Sequence, residues 1–315
     1  MVFVNYSTWK LPVYRHVILS LLFLSTPLYA AEPAEKPFKM YADVTYTTIG
    51  NVKLQLDLAV PTTPGPHPVV VCFHGGAWQA GNRKDLTKPA LFAPANQKGI
   101  GLLETFAMKG YATATVSYRL APKNKFPAQL EDAKTAVRFL RTNAKKYDLD
   151  TERFAALGFS AGGHIAALLG TTDKTAGLEG KEYPDVSSRV QCVIDFFGPT
   201  DLALYCESPG LESAFMVPLL GKECLSDPKL YDRASPMHYV TKDDPPVLIL
   251  HGTADLIVPI LHSERFKDKL QAAGVPVEMV KFSGKGHGWT GETVDESAKA
   301  TLLFLDKHLK KATKK

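Results

Sequence analysis

Hydrophobic and polar residues alternate with a period of two in two neighbouring stretches near the start of the chain. These stretches cover residues 44–49 and 52–60, and Gly50 and Asn51 separate them. Period-two alternation is typical of half-buried strands, and a Gly-Asn pair between two such stretches favours a tight turn. The pattern therefore predicts a β-hairpin, which we expect to begin a sheet.

From Pro68 onward the pattern changes to short, continuous apolar runs separated by segments with helical spacing. Such runs are typical of strands that are buried on both faces, as in a parallel sheet covered by helices. The alternation therefore predicts an α/β fold with a mostly parallel central sheet and helices on both faces. The runs lie at residues 69–73, 111–118, 154–157, 190–197, 247–250 and 277–282.

The segments between the predicted strands differ in how clearly their sequences indicate a helix. A long amphipathic helix is predicted over residues 127–147, and one segment, residues 202–239, breaks the alternation because it is rich in Pro, Gly, Ser and Tyr. We expect this segment to be a short cap insertion in a single domain covering residues 43–311, since no linker or repeat divides the chain. The other predicted helices cover residues 102–109, 163–169, 262–273 and 294–309.

The stretch Gly158-Phe159-Ser160-Ala161-Gly162 joins an apolar run to a small, apolar segment with helical spacing. G-x-S-x-G between a strand and a helix is the pattern of a nucleophile elbow, where the serine occupies a strained turn and the glycines avoid collisions across it. The first N–H groups of the helix then face the charge that develops at the serine. Ser160 is the predicted nucleophile, and Ala161 is a predicted oxyanion-hole donor.

A second glycine-rich loop, His74-Gly75-Gly76-Ala77-Trp78, follows the apolar run at residues 69–73. Glycine allows backbone N–H groups to approach a ligand closely. Gly75 and Gly76 are therefore predicted to complete the oxyanion hole.

Two further polar residues follow later strands. A serine hydroxyl needs a base, and His287 in Gly286-His287-Gly288 is the predicted one, with Asp255 predicted to orient its imidazole. The order serine, acid, histidine is that of the α/β-hydrolase triad. Asp201 is the alternative acid; its other interpretation is the N-cap of a cap helix.

These motifs together resemble those of the α/β-hydrolase superfamily. Within it, the chain is similar to the hormone-sensitive-lipase-like and acetylxylan/feruloyl-esterase-like (BD-FAE-like) serine esterases. The resemblance covers roughly residues 40–310 and implies an esterase with a Ser–Asp–His triad. Many relatives have a third glycine where this chain has Ala77, which implies a narrower acyl pocket. The matching stretches are residues 74–78, 117–122, 126–128, 158–164, 251–255 and 286–288.

Several other side chains lie close to these loops in the sequence. Trp78, Tyr118 and Trp289 are predicted to line the substrate pocket, although each of them, like Phe126, is equally consistent with a place in the core. Three histidines other than His287 are expected to support the loops through hydrogen bonds. Two charged residues of the long helix are expected at the surface. These are His74, His164, His251, Asp132 and Arg138.

The N-terminus has the pattern of a signal peptide. Lys10 and Arg15 precede an apolar segment at residues 17–24, and Ala30 provides a small residue for cleavage. We therefore expect a signal peptide at residues 1–30, a flexible leader at 31–42, and a secreted or periplasmic protein with no stable membrane span in the mature chain. The alternative is an uncleaved membrane anchor.

Composition narrows the possible partners. The chain has 37 basic and 32 acidic residues, and its lysines are scattered, so no nucleic-acid partner is predicted. The sequence lacks Cys-x-x-Cys pairs, paired helical histidines and a phosphate-binding glycine loop, so no metal or other cofactor is predicted. Cys206 and Cys224 both lie in the predicted cap of an exported chain and are expected to form a disulfide, whereas Cys72 and Cys192 lie in buried strands.

The leading hypothesis is a serine esterase that forms an acyl-enzyme on short-chain esters of small molecules or polysaccharides. The esters are expected to be carbohydrate-linked, of the acetyl or feruloyl xylan type. The alternatives are a general carboxylesterase or lipase, a serine peptidase-like hydrolase, and a ligand-binding module that has lost its chemistry.

Overall fold

The computed structural model describes residues 1–3, 36–87 and 100–310. The chain divides into a unit at residues 1–35 and a unit at residues 36–315. Most of the predicted signal peptide and the first part of the leader lie outside the described residues. The fold below is that of residues 36–310.

The central sheet has eight strands in the order β1-β2-β4-β3-β5-β6-β7-β8. β1 and β2 form the predicted hairpin, β2 pairs antiparallel with β4, and all other neighbours are parallel. The prediction of a mostly parallel sheet is therefore confirmed. The strands are β1 Phe38–Ile49, β2 Val52–Pro61, β3 His67–Phe73, β4 Ala112–Val116, β5 Leu149–Phe159, β6 Cys192–Phe196, β7 Val247–Gly252 and β8 Val277–Phe282.

Strand β1 begins earlier than the sequence pattern indicated. Phe38 pairs with Pro61 of β2 and is buried, packed in a small cluster with Ala59 and Leu103. Residues 38–42 are therefore part of the sheet, and the expectation of a flexible leader up to residue 42 was wrong. The cause is pairing with β2, which a weakly patterned segment does not reveal on its own.

Helices cover both faces of the sheet, as predicted. Alternate residues of β3 point to opposite faces, because Val69, Val71 and Phe73 belong to one apolar cluster whereas Val70 and Cys72 belong to the other. The long predicted helix ends at Thr142 and a short one follows it. The helices are α1 Leu102–Ala107, α2 Ala128–Thr142, α3 Ala144–Tyr147, α4 Ala161–Thr171, α5 Pro209–Leu211, α6 Val217–Leu220, α7 Pro228–Ala234, α8 Leu261–Ala272 and α9 Glu292–Leu309.

The cap segment, residues 202–239, consists of short helical pieces. Besides α5, α6 and α7, it contains a π-helical turn at Glu212–Met216 and three 3₁₀ turns at Leu202–Glu207, Cys224–Ser226 and Pro236–Tyr239. A disulfide joins Cys206 to Cys224 across 18 positions, which confirms the predicted pairing. The middle of the cap segment is thereby closed into a loop.

The disulfide leads to a thiol count. Cys72 and Cys192 are free and buried, and burial raises the pKa of both thiols. We therefore expect two titratable thiols in the unfolded, unreduced protein and four after reduction, measured with Ellman's reagent in denaturant. Closing a loop of this length stabilises the fold by roughly 3 kcal/mol. Four thiols before reduction would contradict the bridge.

Two charged residues of α2 are buried, contrary to the expectation of surface positions. Asp132 is 1% exposed and accepts hydrogen bonds from Arg119, whose Nη2 lies 2.8 Å from its Oδ1. Arg138 is also 1% exposed; it pairs with the Glu179 carboxylate and donates to the Glu182 carbonyl. Helical spacing identified the apolar face of α2 but not the segments that cover its polar face.

Candidate active site

Ser160 lies in a sharp turn between β5 and α4. Its φ is +56°, a left-handed conformation that serine rarely adopts, and its N–H donates to the carbonyl of Phe196 at 2.8 Å. A Cβ at Gly158 would lie 2.0 Å from the carbonyl oxygen of Gly162, so a side chain cannot be accommodated there. The stretch 158–162 therefore has the geometry of the elbow that the motif predicted.

The structure places His287 and Asp255 in line with Ser160. His287 Nε2 lies 2.8 Å from Ser160 Oγ, and His287 Nδ1 lies 2.7 Å from Asp255 Oδ2. Because the carboxylate can only accept, Nδ1 carries the proton and Nε2 is left to accept from the serine hydroxyl. The three side chains follow β5, β7 and β8, whose carboxyl ends meet at one edge of the sheet.

Asp255 is held as a carboxylate. Burial opposes its ionisation, but hydrogen bonds from His251, His287 and the Val258 N–H outweigh burial and lower the pKa of Asp255. Its Oδ1 accepts from the N–H groups of Ile257 and Val258, both at 2.9 Å. The acceptor that faces His287 is therefore charged and fixed in direction.

The alternative acid, Asp201, lies elsewhere. Its Oδ2 accepts from Arg265 Nη1 at 2.8 Å, and its backbone N–H donates to His262 Nδ1. Its side chain does not cap the 3₁₀ turn that follows it. The structure thus brings Asp255, and not Asp201, to His287.

The glycine-rich loop lies against the elbow. A Cβ at Gly75 would be 3.4 Å from Ser160 Cβ. Three successive residues have positive φ, namely Gly76 at +109°, Ala77 at +51° and Trp78 at +59°, and such a conformation costs energy at the two non-glycine positions. Gly75 lies against Ser160 and Ala161 directly follows it, and the role of Gly75, Gly76 and Ala161 as oxyanion-hole donors stays a prediction.

Two buried aromatic side chains hold this loop in place. Trp78 Nε1 donates to His164 Nδ1 at 3.2 Å, and His164 Nε2 donates to the carbonyl of Ala234 at 2.7 Å. Burial lowers the pKa of His164 to about 4, so its ring stays neutral. Tyr118 stacks on His74 and donates its hydroxyl proton to the His74 carbonyl. These contacts link the loop to α4 and to the cap segment.

Comparison with known proteins identifies the family. The model of the BD-FAE family matches residues 56–270. The chain belongs to the BD-FAE family. Among curated proteins it is similar to esterase LipC of Mycobacterium tuberculosis, with 29% identity over 256 residues that cover 78% of this chain and 59% of that protein. The chain spans about half the length of the curated relatives it matches.

Solved structures similar to this BD-FAE family member are esterases with an α/β-hydrolase fold. A truncated carbohydrate esterase from gut microbiota is 27% identical, with a TM-score of 0.74 and coverage of 89% of this chain and 99% of that one. The butyrate-bound Est2 esterase of Thermogutta terrifontis is 26% identical, with a TM-score of 0.71 and coverage of 90% and 98%. The same esterase has been solved phosphorylated by paraoxon. In this chain Ser160, His287 and Asp255 form a hydrogen-bonded Ser–His–Asp arrangement, and the solved structures similar to it include esterases.

A small cleft borders Ser160 in this BD-FAE family member. Its empty space, including the open mouth, is about 240 Å³. Trp78 is among the residues that line it, and its contact with a substrate stays a prediction. Tyr118 and Trp289 are not among the lining residues: Tyr118 stacks on His74, and Trp289 packs against Phe197. The lining residues are Ala77, Trp78, Ser160, Ala161, Pro199, Tyr205, Phe215, Ile257 and Val258.

Two residues of the cleft were missed by sequence reasoning. Tyr205 and Phe215 come from the cap segment, whose irregular pattern gave no indication of which side chains face the site. The only signal was their aromatic character within a segment placed where caps shape pockets. Conversely, Trp289 lies two positions after the predicted base, yet its Nε1 donates to Ser297 Oγ on α9 and it does not line the cleft.

No helix in the part of the chain described by the structure is both long and apolar enough to cross a membrane. Within residues 1–3, 36–87 and 100–310, no group of three or more His, Cys, Asp or Glu side chains is placed to hold a metal ion.

A buried carboxyl behind the elbow gives a test of pH-dependent stability. Asp195 on β6 is fully buried; its Oδ1 accepts from the Gly198 N–H, and its Oδ2 meets no donor among the described residues. Burial raises its pKa to about 7. In the unfolded chain an aspartic acid titrates at about pH 4. Between about pH 4 and 7 the folded chain therefore retains a proton that the unfolded chain releases, so the free energy of unfolding falls as pH rises through this range.

Replacing Asp195 with Asn should remove this dependence. We expect the wild-type protein to lose about 1–3 kcal/mol more unfolding free energy than Asp195→Asn between pH 5 and pH 8. Urea unfolding at both pH values measures the difference, with the exposed Asp268→Asn as control. Parallel losses in wild type and Asp195→Asn would show that Asp195 is not protonated in the folded state.

Proposed function

We propose that this protein is a serine carboxylic-ester hydrolase that acts through an acyl-enzyme. The observation that carries the proposal is a pair of hydrogen bonds through His287. Its Nε2 lies 2.8 Å from Ser160 Oγ, and its Nδ1 lies 2.7 Å from Asp255 Oδ2. Similarity to LipC and to the structurally related esterases supports it. Substrates and roles of individual residues in this chain are part of the same proposal.

The reaction follows from the positions of these atoms. Ser160 Oγ attacks the acyl carbon while His287 Nε2 takes the hydroxyl proton, and the N–H groups of Gly75, Gly76 and Ala161 stabilise the oxyanion. The carbon–oxygen bond to the alcohol then breaks, and His287 returns the proton to the leaving oxygen. Water attacks the acyl-enzyme in the same manner, with His287 as base, and releases the acid and free Ser160.

We infer that the substrates are short-chain esters, preferably carbohydrate-linked esters of the acetyl or feruloyl xylan type. The cleft beside Ser160 is small and bounded by Trp78, Tyr205 and Phe215, which suits a short acyl group. Two similar structures support this inference, since one is a carbohydrate esterase and the other was solved with butyrate.

We also propose that the protein is exported to the periplasm or the medium. The signal-peptide pattern at residues 1–30 and its cleavage near Ala30 are the primary argument. The Cys206–Cys224 disulfide supports it, because disulfides persist mainly in oxidising compartments. Polysaccharide esters are also too large to enter a cell intact.

One experiment tests the activity and its class together. The full chain is incubated with a fluorophosphonate, and the labelled peptide is identified by mass spectrometry. Hydrolysis rates are then measured on the p-nitrophenyl esters of acetate, butyrate and octanoate. The same rates are measured on aminoacyl amides and on acetylated and feruloylated xylan. We expect labelling at Ser160 only, fastest turnover on acetate or butyrate, and release of acetate or ferulate from xylan.

The other outcomes contradict particular parts of the proposal. No labelling of Ser160 and no ester turnover would leave a binding module. Preference for octanoate without release from xylan would leave a general carboxylesterase or lipase, and cleavage of the aminoacyl amides alone would leave a peptidase-like hydrolase.

A further inference from the structure

The cleft beside Ser160 lies on the side of the predicted oxyanion site and not on the side of His287. It is bordered by Ser160, Ala161 and Ala77, the residues next to the predicted oxyanion site, whereas His287 does not line it. The leaving alcohol must come close to His287 Nε2, since that atom returns its proton. An ester bound for reaction therefore places its alcohol on the His287 side and its acyl chain in the cleft.

Two walls of this acyl cleft come from the cap segment. Tyr205 is 2% exposed and its hydroxyl donates to the carbonyl of Ile257 at 3.2 Å, which ties the cap to the loop that carries Asp255. Phe215 is half-buried in the π-helical turn Glu212–Met216. Single π-helical turns are uncommon and occur frequently at functional sites.

Phe215 is held by contacts on both sides of its turn. The preceding residue, Ala214, accepts a hydrogen bond at 2.8 Å from Gln79 Nε2, which follows the glycine-rich loop. At the start of the turn, Glu212 Oε1 accepts from the Tyr231 hydroxyl at 2.9 Å and from the Cys224 N–H at 2.5 Å. The turn that carries the ring is thus attached to the chain just after the glycine-rich loop and to the rest of the cap segment.

The disulfide closes the loop that carries this ring. Cys206 directly follows Tyr205, and Cys224 donates to the glutamate that begins the Phe215 turn. Breaking the bridge would remove the cross-link from the 18-position loop that contains Phe215 and that begins next to Tyr205. The cross-link therefore acts on the shape of the acyl cleft as well as on overall stability.

We propose that Phe215, held by the loop that the Cys206–Cys224 disulfide closes, is the specificity-determining residue that limits the acyl group to acetyl through butyryl. This inference rests on the proposed esterase function and names the element that sets its acyl class. A longer chain meets the phenyl ring, and replacing the ring with a small side chain opens the space that additional methylenes require.

The test compares Phe215→Ala with a matched control in the same cap. Leu225 is 93% exposed and does not line the cleft, so Leu225→Ala should leave the chain-length profile unchanged. Values of kcat/KM are measured on p-nitrophenyl acetate, butyrate, hexanoate and octanoate. We expect Phe215→Ala to raise the octanoate-to-acetate ratio by at least about ten-fold, since each methylene accommodated in an apolar pocket changes specificity by about that order.

Two further variants make the test independent of the folding of Phe215→Ala. Phe215→Trp adds volume and should lower the butyrate-to-acetate ratio, the opposite direction. The double variant Cys206→Ser, Cys224→Ser should raise the octanoate-to-acetate ratio in the same direction as Phe215→Ala, by a smaller factor.

The outcomes separate this inference from the proposed function. Unchanged ratios in Phe215→Ala and Phe215→Trp, with ester turnover retained, would overturn the role of Phe215 and leave the esterase intact. Absence of ester turnover in the wild-type protein would overturn the esterase itself. A shifted profile in both Phe215 variants but not in the double cysteine variant would remove the disulfide from the proposal.

Discussion

Ser160→Ala is expected to lower kcat on short-chain esters by at least about 10,000-fold and to leave the thermal unfolding midpoint close to that of the wild type. The change removes one oxygen from a residue that borders an open cleft, and among the described residues that oxygen hydrogen-bonds only to His287 Nε2, at 2.8 Å. Alanine is no more strained than serine at φ +56°, so the turn should persist. Single-turnover and steady-state rates on p-nitrophenyl butyrate, with circular-dichroism melting, measure both effects.

A second serine close to the site provides the control. Ser283 lies on the loop after β8 that also carries His287, and its side chain is exposed. Ser283→Ala should retain wild-type rates and fluorophosphonate labelling, while Ser160→Ala loses both. If Ser160→Ala hydrolysed esters near the wild-type rate, the nucleophile would have to lie elsewhere.

Asp255→Asn is expected to lower kcat by about 1,000- to 10,000-fold. The amide cannot accept two backbone N–H bonds and also present a charged acceptor to His287 Nδ1, so the imidazole takes the wrong tautomer and its protonated form loses its counter-charge. The ground-state geometry should change little, because Ile257 and Val258 still donate to the remaining oxygen. Rates on p-nitrophenyl acetate and butyrate measure the loss.

Asp201→Asn is the matched comparison. It also removes a buried carboxylate that follows a strand, but this one accepts from Arg265 and not from His287. We expect it to retain most of the activity and to lose some stability. The reverse ranking of the two variants would transfer the role of the acid to Asp201.

The sequence motifs predicted the residues of the candidate site better than they predicted the side chains packed around it. G-x-S-x-G, the glycine pair at 75–76 and the polar residues after the last two strands are local patterns, and the parallel sheet converts them into neighbours at one edge. The sequence favoured Asp255 over Asp201 because Asp255 follows the penultimate predicted strand, but it left Asp201 open as the alternative acid. That choice depends on which loop faces His287, and only the tertiary arrangement determines it.

Burial of polar residues was the main failure of sequence reasoning. Asp132 and Arg138 have the spacing of an exposed helix face, but Arg119 and Glu179 reach them from segments distant in the chain. Tyr118 was expected in the pocket and instead supports His74. In each case the position depends on long-range contacts, about which periodicity carries no information.

The separation of the triad along the chain has a consequence for the order in which function appears during folding. Ser160 lies 127 positions before His287, and Asp255 lies 32 positions before it. Ser160 follows β5 in the middle of the sheet, whereas Asp255 and His287 follow β7 and β8 at the edge away from the N-terminal hairpin. Contacts between residues so far apart in the chain carry a larger loop-closure entropy than local contacts and tend to form late. Recovery of esterase activity should therefore report the docking of β7 and β8. A chain in which only β1 to β5 have folded would contain Ser160 but not the base and acid in place, and we expect it to be inactive.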